Sequence, residues 1–102
     1  MTEGFRSKEN GGDISKEEVS LLLRKHPEDL SPLHVFLDRR EKEVRNSKDT
    51  LHLNVEIAEI YRDAGLTDVA RQAFLDAANQ AWQEREGSLY QVLVAKFEKL
   101  QG

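Results

Sequence analysis

The sequence predicts an all-α chain of about five helices arranged as antiparallel helical hairpins, and three observations point there. From Ile14 onward the apolar residues recur three and four apart, the spacing of one helix face, and strict alternation is rare. No Asn-Gly or Asp-Gly pair separates two apolar runs as a β-hairpin turn would. The pattern is interrupted at Pro27, Pro32, Gly65 and Gly87, which leaves short links of the kind that join neighbouring antiparallel helices.

A first helix opens at Ser15. Ser15 and Glu18 are spaced as a capping box, in which each side chain satisfies a free backbone N–H of the other residue. Val19, Leu22 and Leu23 form the buried stripe, and Pro27 limits the helix because a residue before proline is pushed out of the helical basin. Ser31-Pro32 reads as an N-cap and first helical residue, where the N–H that proline lacks is not needed. Leu33, Phe36, Leu37 and Val44 supply the apolar face of this second helix, while Asp38, Arg39, Arg40, Glu41, Lys42, Glu43 and Arg45 crowd its outer face. Its end is weakly marked. Either Asp49 or Thr50 caps a new helix, or one long helix runs from Pro32 to Ala64 with Leu37, Val44, Leu51 and Ala58 spaced by sevens. Arg40 and Ser47 spoil the complementary seam of a long helix, which favours a break near 47–50.

Leu51, Leu53, Val55, Ile57, Ala58, Ile60, Tyr61 and Ala64 populate the third helix, and Gly65 stands where a left-handed residue ends one. Thr67 or Asp68 caps a fourth helix carrying Val69, Ala70, Ala73, Phe74, Ala77, Ala78, Ala81 and Trp82, and Gly87 closes it. Ser88, with Gln91 three residues on, opens a fifth through Leu89, Tyr90, Val92, Leu93, Val94, Phe97 and Leu100.

Composition narrows the function classes. With 102 residues, 38% of them hydrophobic and 33% charged, the chain holds one modest core and no membrane span. We expect a flexible tail over 1–13, with Phe5 as its large hydrophobe and Gly11-Gly12 at its end, followed by a single helical domain over 14–102. No apolar run follows a basic region as in a secretory signal, so the expected setting is a reducing cytoplasm. Cysteine is absent, which excludes disulfides, thiol nucleophiles and Cys-based metal sites. Fifteen Lys and Arg against nineteen Asp and Glu give a net charge of −4, the wrong sign for a nucleic-acid binder. That charge is uneven: residues 51–86 hold three basic and seven acidic side chains, a balance of −4, whereas 32–50 and 87–102 are each +1 and 1–31 is −2.

Residues 51–84 resemble one tetratricopeptide repeat, a helix–turn–helix unit of about 34 residues. Where that family has Trp, Leu, Gly and Tyr along its first helix, this chain has Asn54, Ile57, Ala58 and Tyr61; Ala70, Phe74 and Ala77 match the Ala, Phe and Ala of the second. Asn54 departs from the family's aromatic residue, and Trp82 stands where a proline usually ends the unit, which extends the fourth helix to about Arg85. The resemblance implies right-handed stacking of hairpins in which Ala58 and Ala70 allow close helix approach and Phe74 packs into the next unit. It also implies that the fifth helix is a C-terminal cap, with Lys96, Glu98, Lys99 and Gln101 on its solvated side. The last three helices are also similar to a microtubule-interacting-and-trafficking domain, although that family has a longer final helix.

Catalysis finds little support. His26, His34 and His52 form no Glu-x-x-His or His-x-x-x-His pattern, and His34 with Asp38 reads as a surface pair. Glu56, Glu59 and Asp63 lie along one strip, yet no nucleophile motif or phosphate-cradling loop accompanies them. We expect no enzyme activity, no catalytic residues, no metal and no cofactor. In the resembled family the first helix of a repeat lines a concave face, which points to His52, Val55, Glu56, Glu59, Arg62 and Asp63 as partner-binding residues. Their mostly acidic character suits a basic or amphipathic peptide of a partner protein, and the strip lacks the Lys, Arg and Asn set with which that family clamps acidic chaperone tails. The expected function is a non-enzymatic adaptor, with a structural or self-associating helical domain as the alternative; nucleic acid and membrane are not expected partners, and the chain is a monomer or weak homodimer. Trp82 and Tyr90 flank Gly87 and read as filling the joint between the last two helices, with an exposed anchor as the other reading.

Overall fold

The computed structural model describes residues 14–100. They form five helices and, among the described residues, no strand: α1 (Lys16–Lys25), α2 (Ser31–Glu41), α3 (Ser47–Asp63), α4 (Thr67–Gln83) and α5 (Gly87–Lys99). The expected tail over 1–13, with Phe5, and the expected contribution of Gln101 lie outside the described residues.

The start of α1 is as the sequence predicts. Ser15 Oγ accepts from the Glu18 N–H at 3.1 Å, and a Glu18 carboxylate oxygen accepts from the Ser15 N–H at 3.1 Å. Val19 and Leu23 are buried, Leu22 is half-buried, and the helix stops at Lys25 with His26 as its C-cap, directly before Pro27.

Helix α2 begins one residue earlier than expected. Ser31 is not the cap but the first helical residue, because Asp29 lies upstream and its carboxylate accepts the Ser31 N–H at 3.0 Å. Pro32, in the second position, still removes a donor that has no partner inside the helix. Hydrogen bonds from the backbone and then the side chain of Ser31 hold the Asp29 carboxyl below its ordinary value, with the charge of His26 adding to the effect.

No long helix joins α2 to α3. The break covers residues 42–46, just before the expected 47–50, and neither Asp49 nor Thr50 is the cap. Asn46, in extended backbone, accepts the Asp49 N–H at 2.9 Å, while Asp49 reaches back to the Arg45 N–H at 3.0 Å. This reciprocal pair uses the same physics as a capping box, with shorter side chains.

The two remaining links share one geometry. At the end of α3, Gly65 has φ +83°, its N–H bonds to the Arg62 carbonyl at 3.0 Å, and the Leu66 N–H bonds to the Tyr61 carbonyl at 3.0 Å. At the end of α4 the left-handed residue is Arg85, φ 62°; its N–H bonds to the Trp82 carbonyl at 3.1 Å, and the Glu86 N–H bonds to the Ala81 carbonyl at 2.8 Å. Each is a complete Schellman turn, which satisfies carbonyls left open at a helix end. Gly87 therefore does not close α4, which ends at Gln83 rather than near Arg85; Gly87 is the first residue of α5. Thr67, Asp68 and Ser88 are not caps either. Leu66 and Glu86 each finish one turn and serve at once as the N-cap of the next helix, so no separate capping residue fits between.

Contacts between the helices fix their directions. Lys16, Ser20 and Arg24 of α1 meet Glu59, Ile60 and Asp63 of α3 in the same order, so these two helices run parallel. Ser47, Asn54 and Arg62 meet Glu84, Gln80 and the Phe74 ring in reverse order, so α3 and α4 are antiparallel. Helices α4 and α5 are antiparallel too, with Trp82 against Tyr90 and Arg71 over Phe97.

Two buried clusters hold this arrangement. The first joins Ile14, Val19, Leu23, Leu33, Phe36, Leu53, Ile60 and Ala64; the second joins Leu51, Ala58, Ala70, Phe74, Ala77, Ala78, Ala81 and Leu93. Helix α3 contributes to both, and Tyr61 packs against each. Five alanines in the second cluster let α3, α4 and α5 approach closely around Phe74. The molecule measures 44 × 35 × 16 Å, and its thin dimension suits two layers of helices whose axes are about 8–10 Å apart. The outer face of α2 is less solvated than expected, since Arg39 and Arg40 are half-buried and the Arg39 guanidinium lies 5.6 Å from the Phe36 ring centre.

Candidate functional site

Helix α3 places His52, Val55, Glu56 and Glu59 on successive turns of one stripe, and these four line a shallow groove of ≈ 220 Å³. Lys16 from α1 and Leu89 from α5 complete its walls, so three helices contribute. Sequence reasoning missed Lys16 and Leu89 because neither lies on the helix that carries the stripe. His52 is exposed, Val55 is half-buried against the second core, and Leu89 packs there as well, which gives the groove an apolar patch.

The remaining two expected residues are engaged at the C-terminal end of α3. Arg62 Nε donates to the Asp63 carboxylate at 3.0 Å while its guanidinium lies over the Phe74 ring, and the Asp63 carbonyl accepts from Arg24. Neither lines the groove.

Electrostatics depart from a purely acidic strip. Lys16 Nζ donates to a Glu59 carboxylate oxygen at 2.6 Å, with the two side chains 31% and 20% exposed. Arg40 Nε donates to Glu56 at 2.9 Å, and its guanidinium also bonds Glu43. The hydrogen bond to Glu56, more than that to Glu43, keeps the Arg40 guanidinium further above its already high value. Each groove carboxylate thus faces a cation from another helix; Glu43 shares Arg40 and also meets Arg39 at 3.7 Å, so the linked group holds three acids and three bases. Such partly exposed pairs have modest strength, about 0–1 kcal/mol each, so an incoming charged group can compete for them.

The groove holds acids and a histidine without a convergent nucleophile. His34 and Asp38 are exposed on α2, and among the described residues no group of three or more His, Cys, Asp or Glu side chains is placed to hold a metal ion. Among the same residues no helix is long and apolar enough to cross a membrane.

Trp82 departs from the sequence reading. Its ring meets Tyr90 at 5.1 Å between centroids, tilted by 56°, yet the residue remains 67% exposed. The joint between α4 and α5 is filled instead by Ala81 and Leu93, which are fully buried, and Trp82 projects beyond them. With Arg85 and Gly87 it lines a concavity of ≈ 320 Å³.

The described residues thus form five helices with a surface groove lined by side chains of three of them. No protein-family profile matches the sequence, and neither a characterised protein nor a solved structure was found to match it.

Proposed function

We propose that this chain is a non-enzymatic protein-interaction module, a tetratricopeptide-repeat-like adaptor that receives a peptide segment of a partner protein in the groove of α1, α3 and α5. One observation carries the reading: Val55 and Leu89 form an apolar patch beside two paired carboxylates, Glu56 and Glu59, on a concave surface. An apolar patch bordered by paired charges suits an amphipathic segment, whose apolar side chains enter the groove while its basic ones compete with Lys16 and Arg40 for the carboxylates. The parallel course of α1 and α3, with α2 and α4 each following in turn, supports the repeat-like reading.

Affinity capture on immobilised chain tests it. Proteins retained by the parent chain are expected to be lost from Val55→Arg, which puts a bulky charge on the apolar patch, and weakened by Glu59→Lys. Thermal melts of both variants control for general disruption, because Val55 is half-buried against the second cluster. Capture of the same proteins by Val55→Arg at undiminished yield refutes the groove. The self-associating alternative draws on the exposed Leu21, Val69 and Val92, and sedimentation over a range of concentrations separates the two readings.

A further inference from the structure

We propose that the concavity formed by Trp82, Arg85 and Gly87 at the α4–α5 turn is a second recognition surface, one that binds an acidic peptide segment carrying an apolar side chain. It lies apart from the groove and does not depend on that assignment.

Trp82 is the sole tryptophan of the chain, and it spends most of its surface on solvent. Exposed tryptophan held against a second aromatic ring is the usual material of a binding hot spot, and here Tyr90 fixes the indole in place. The indole therefore offers an apolar contact with little conformational freedom left to lose on binding.

The sign of the partner's charge follows from Arg85. Its side chain is exposed and meets no carboxylate among the described residues, whereas Arg40, Arg62 and Arg71 each do. The acids on either side of it are turned elsewhere: Glu84 accepts from the Ser47 hydroxyl at 2.9 Å, and Glu86 pairs with Lys48 at 3.8 Å. Glu84 keeps its charge on a neutral hydroxyl partner, but neither it nor Glu86 lines the concavity, so the guanidinium is the charge that lines it beside Trp82. Helix α5 begins at Gly87 with no side-chain cap, so the positive end of its dipole adds to the same sign. Acids on the rest of α4 weigh little: Asp76 and Asp68 precede Arg85 by about 13 and 25 Å along the helix, both beyond the screening distance of about 8 Å.

The backbone of Arg85 supports the assignment. A left-handed conformation costs a residue with a Cβ roughly 1–2 kcal/mol, and the equivalent position of the α3–α4 turn is Gly65. Arginine at that position is unfavourable to the fold, and a role for its side chain in binding accounts for it.

The probe is an array of labelled peptides built from Asp and Glu with one Leu, Phe or Trp, set against the same array with Lys in place of the acids. Fluorescence anisotropy reads binding to the intact chain. The acidic peptides are expected to bind and the Lys series not to, with affinity falling as salt rises. Trp82→Ala and Arg85→Gly are each expected to weaken binding at least tenfold, while His34→Ala on the exposed face of α2 leaves it unchanged. Arg85→Gly relieves the backbone, so its melting temperature should stay at or above that of the parent chain, which separates loss of binding from loss of fold. Equal binding of the two arrays overturns the proposal, as does binding that survives both Trp82→Ala and Arg85→Gly.

Discussion

At the scale of single residues, two left-handed positions close α3 and α4 in the same way with different side chains. Gly65→Ala places a Cβ in a backbone conformation of φ +83°, although the space there is ordinary, with Arg24 3.7 Å away. The expected loss is about 1 kcal/mol, read from the urea midpoint at unchanged slope. Asp29 supplies a pH dependence. Because its carboxyl is held below the ordinary value of 3.8, its bond to Ser31 contributes stability that is fully present above that value and disappears as pH falls through the lowered one. Asp29→Asn keeps an oxygen acceptor without the titration, so its stability between pH 2 and 5 should be flatter than that of the parent chain in parallel thermal melts. Gly65 was legible in the sequence because glycine is the residue such turns prefer; Arg85 was not, since nothing about an arginine signals a left-handed backbone and a nearby Gly87 offered a more plausible stop. Trp82 differs for a related reason: periodicity places it near a face, but it lies at the rim of a buried stripe made by Ala70, Phe74, Ala77, Ala78 and Ala81.

Among elements, the α3–α4 hairpin depends on small residues around one large one. Phe74 is fully buried among alanines, so Phe74→Ala leaves a void that side chains lacking length cannot refill. The expected cost is about 3–5 kcal/mol by chemical denaturation, a large share of the stability of a domain this size. Ala77→Leu should cost about 1–3 kcal/mol for the opposite reason, overpacking at a closed contact. A double-mutant cycle on Arg40 and Glu56, which links α2 to α3, should return a coupling of about 0.2–1 kcal/mol because both side chains are partly exposed. The repeat resemblance points to His52, Val55, Glu56, Glu59, Arg62 and Asp63, of which the first four line one groove and the last two do not. Their electrostatic state was not visible, because Lys16 and Arg40 belong to helices that a one-helix reading cannot bring alongside.

At the scale of the whole molecule, the helical class and the five elements follow from periodicity, whereas the neighbour relations do not. Helix α2 is the least integrated: it packs mainly on α1, and the residues it buries are Pro32, Leu33 and Phe36. Amide hydrogen exchange should therefore show α2 opening at lower free energy than α3 and α4, which share the Phe74 cluster. Equal protection of α2 and α4 would contradict that ranking. The position of α3 between both clusters has a further bearing on how the chain is made. Ile14, Val19, Leu23, Leu33 and Phe36 leave the ribosome before α3 does, but their cluster is completed by Leu53, Ile60 and Ala64 of α3 and its C-cap. Until α3 has been synthesised the N-terminal half has nothing to close over, and its apolar stripes remain available to other chains. The central helix is thus also the step at which a nascent chain of this sequence passes from a sticky fragment to a protected fold.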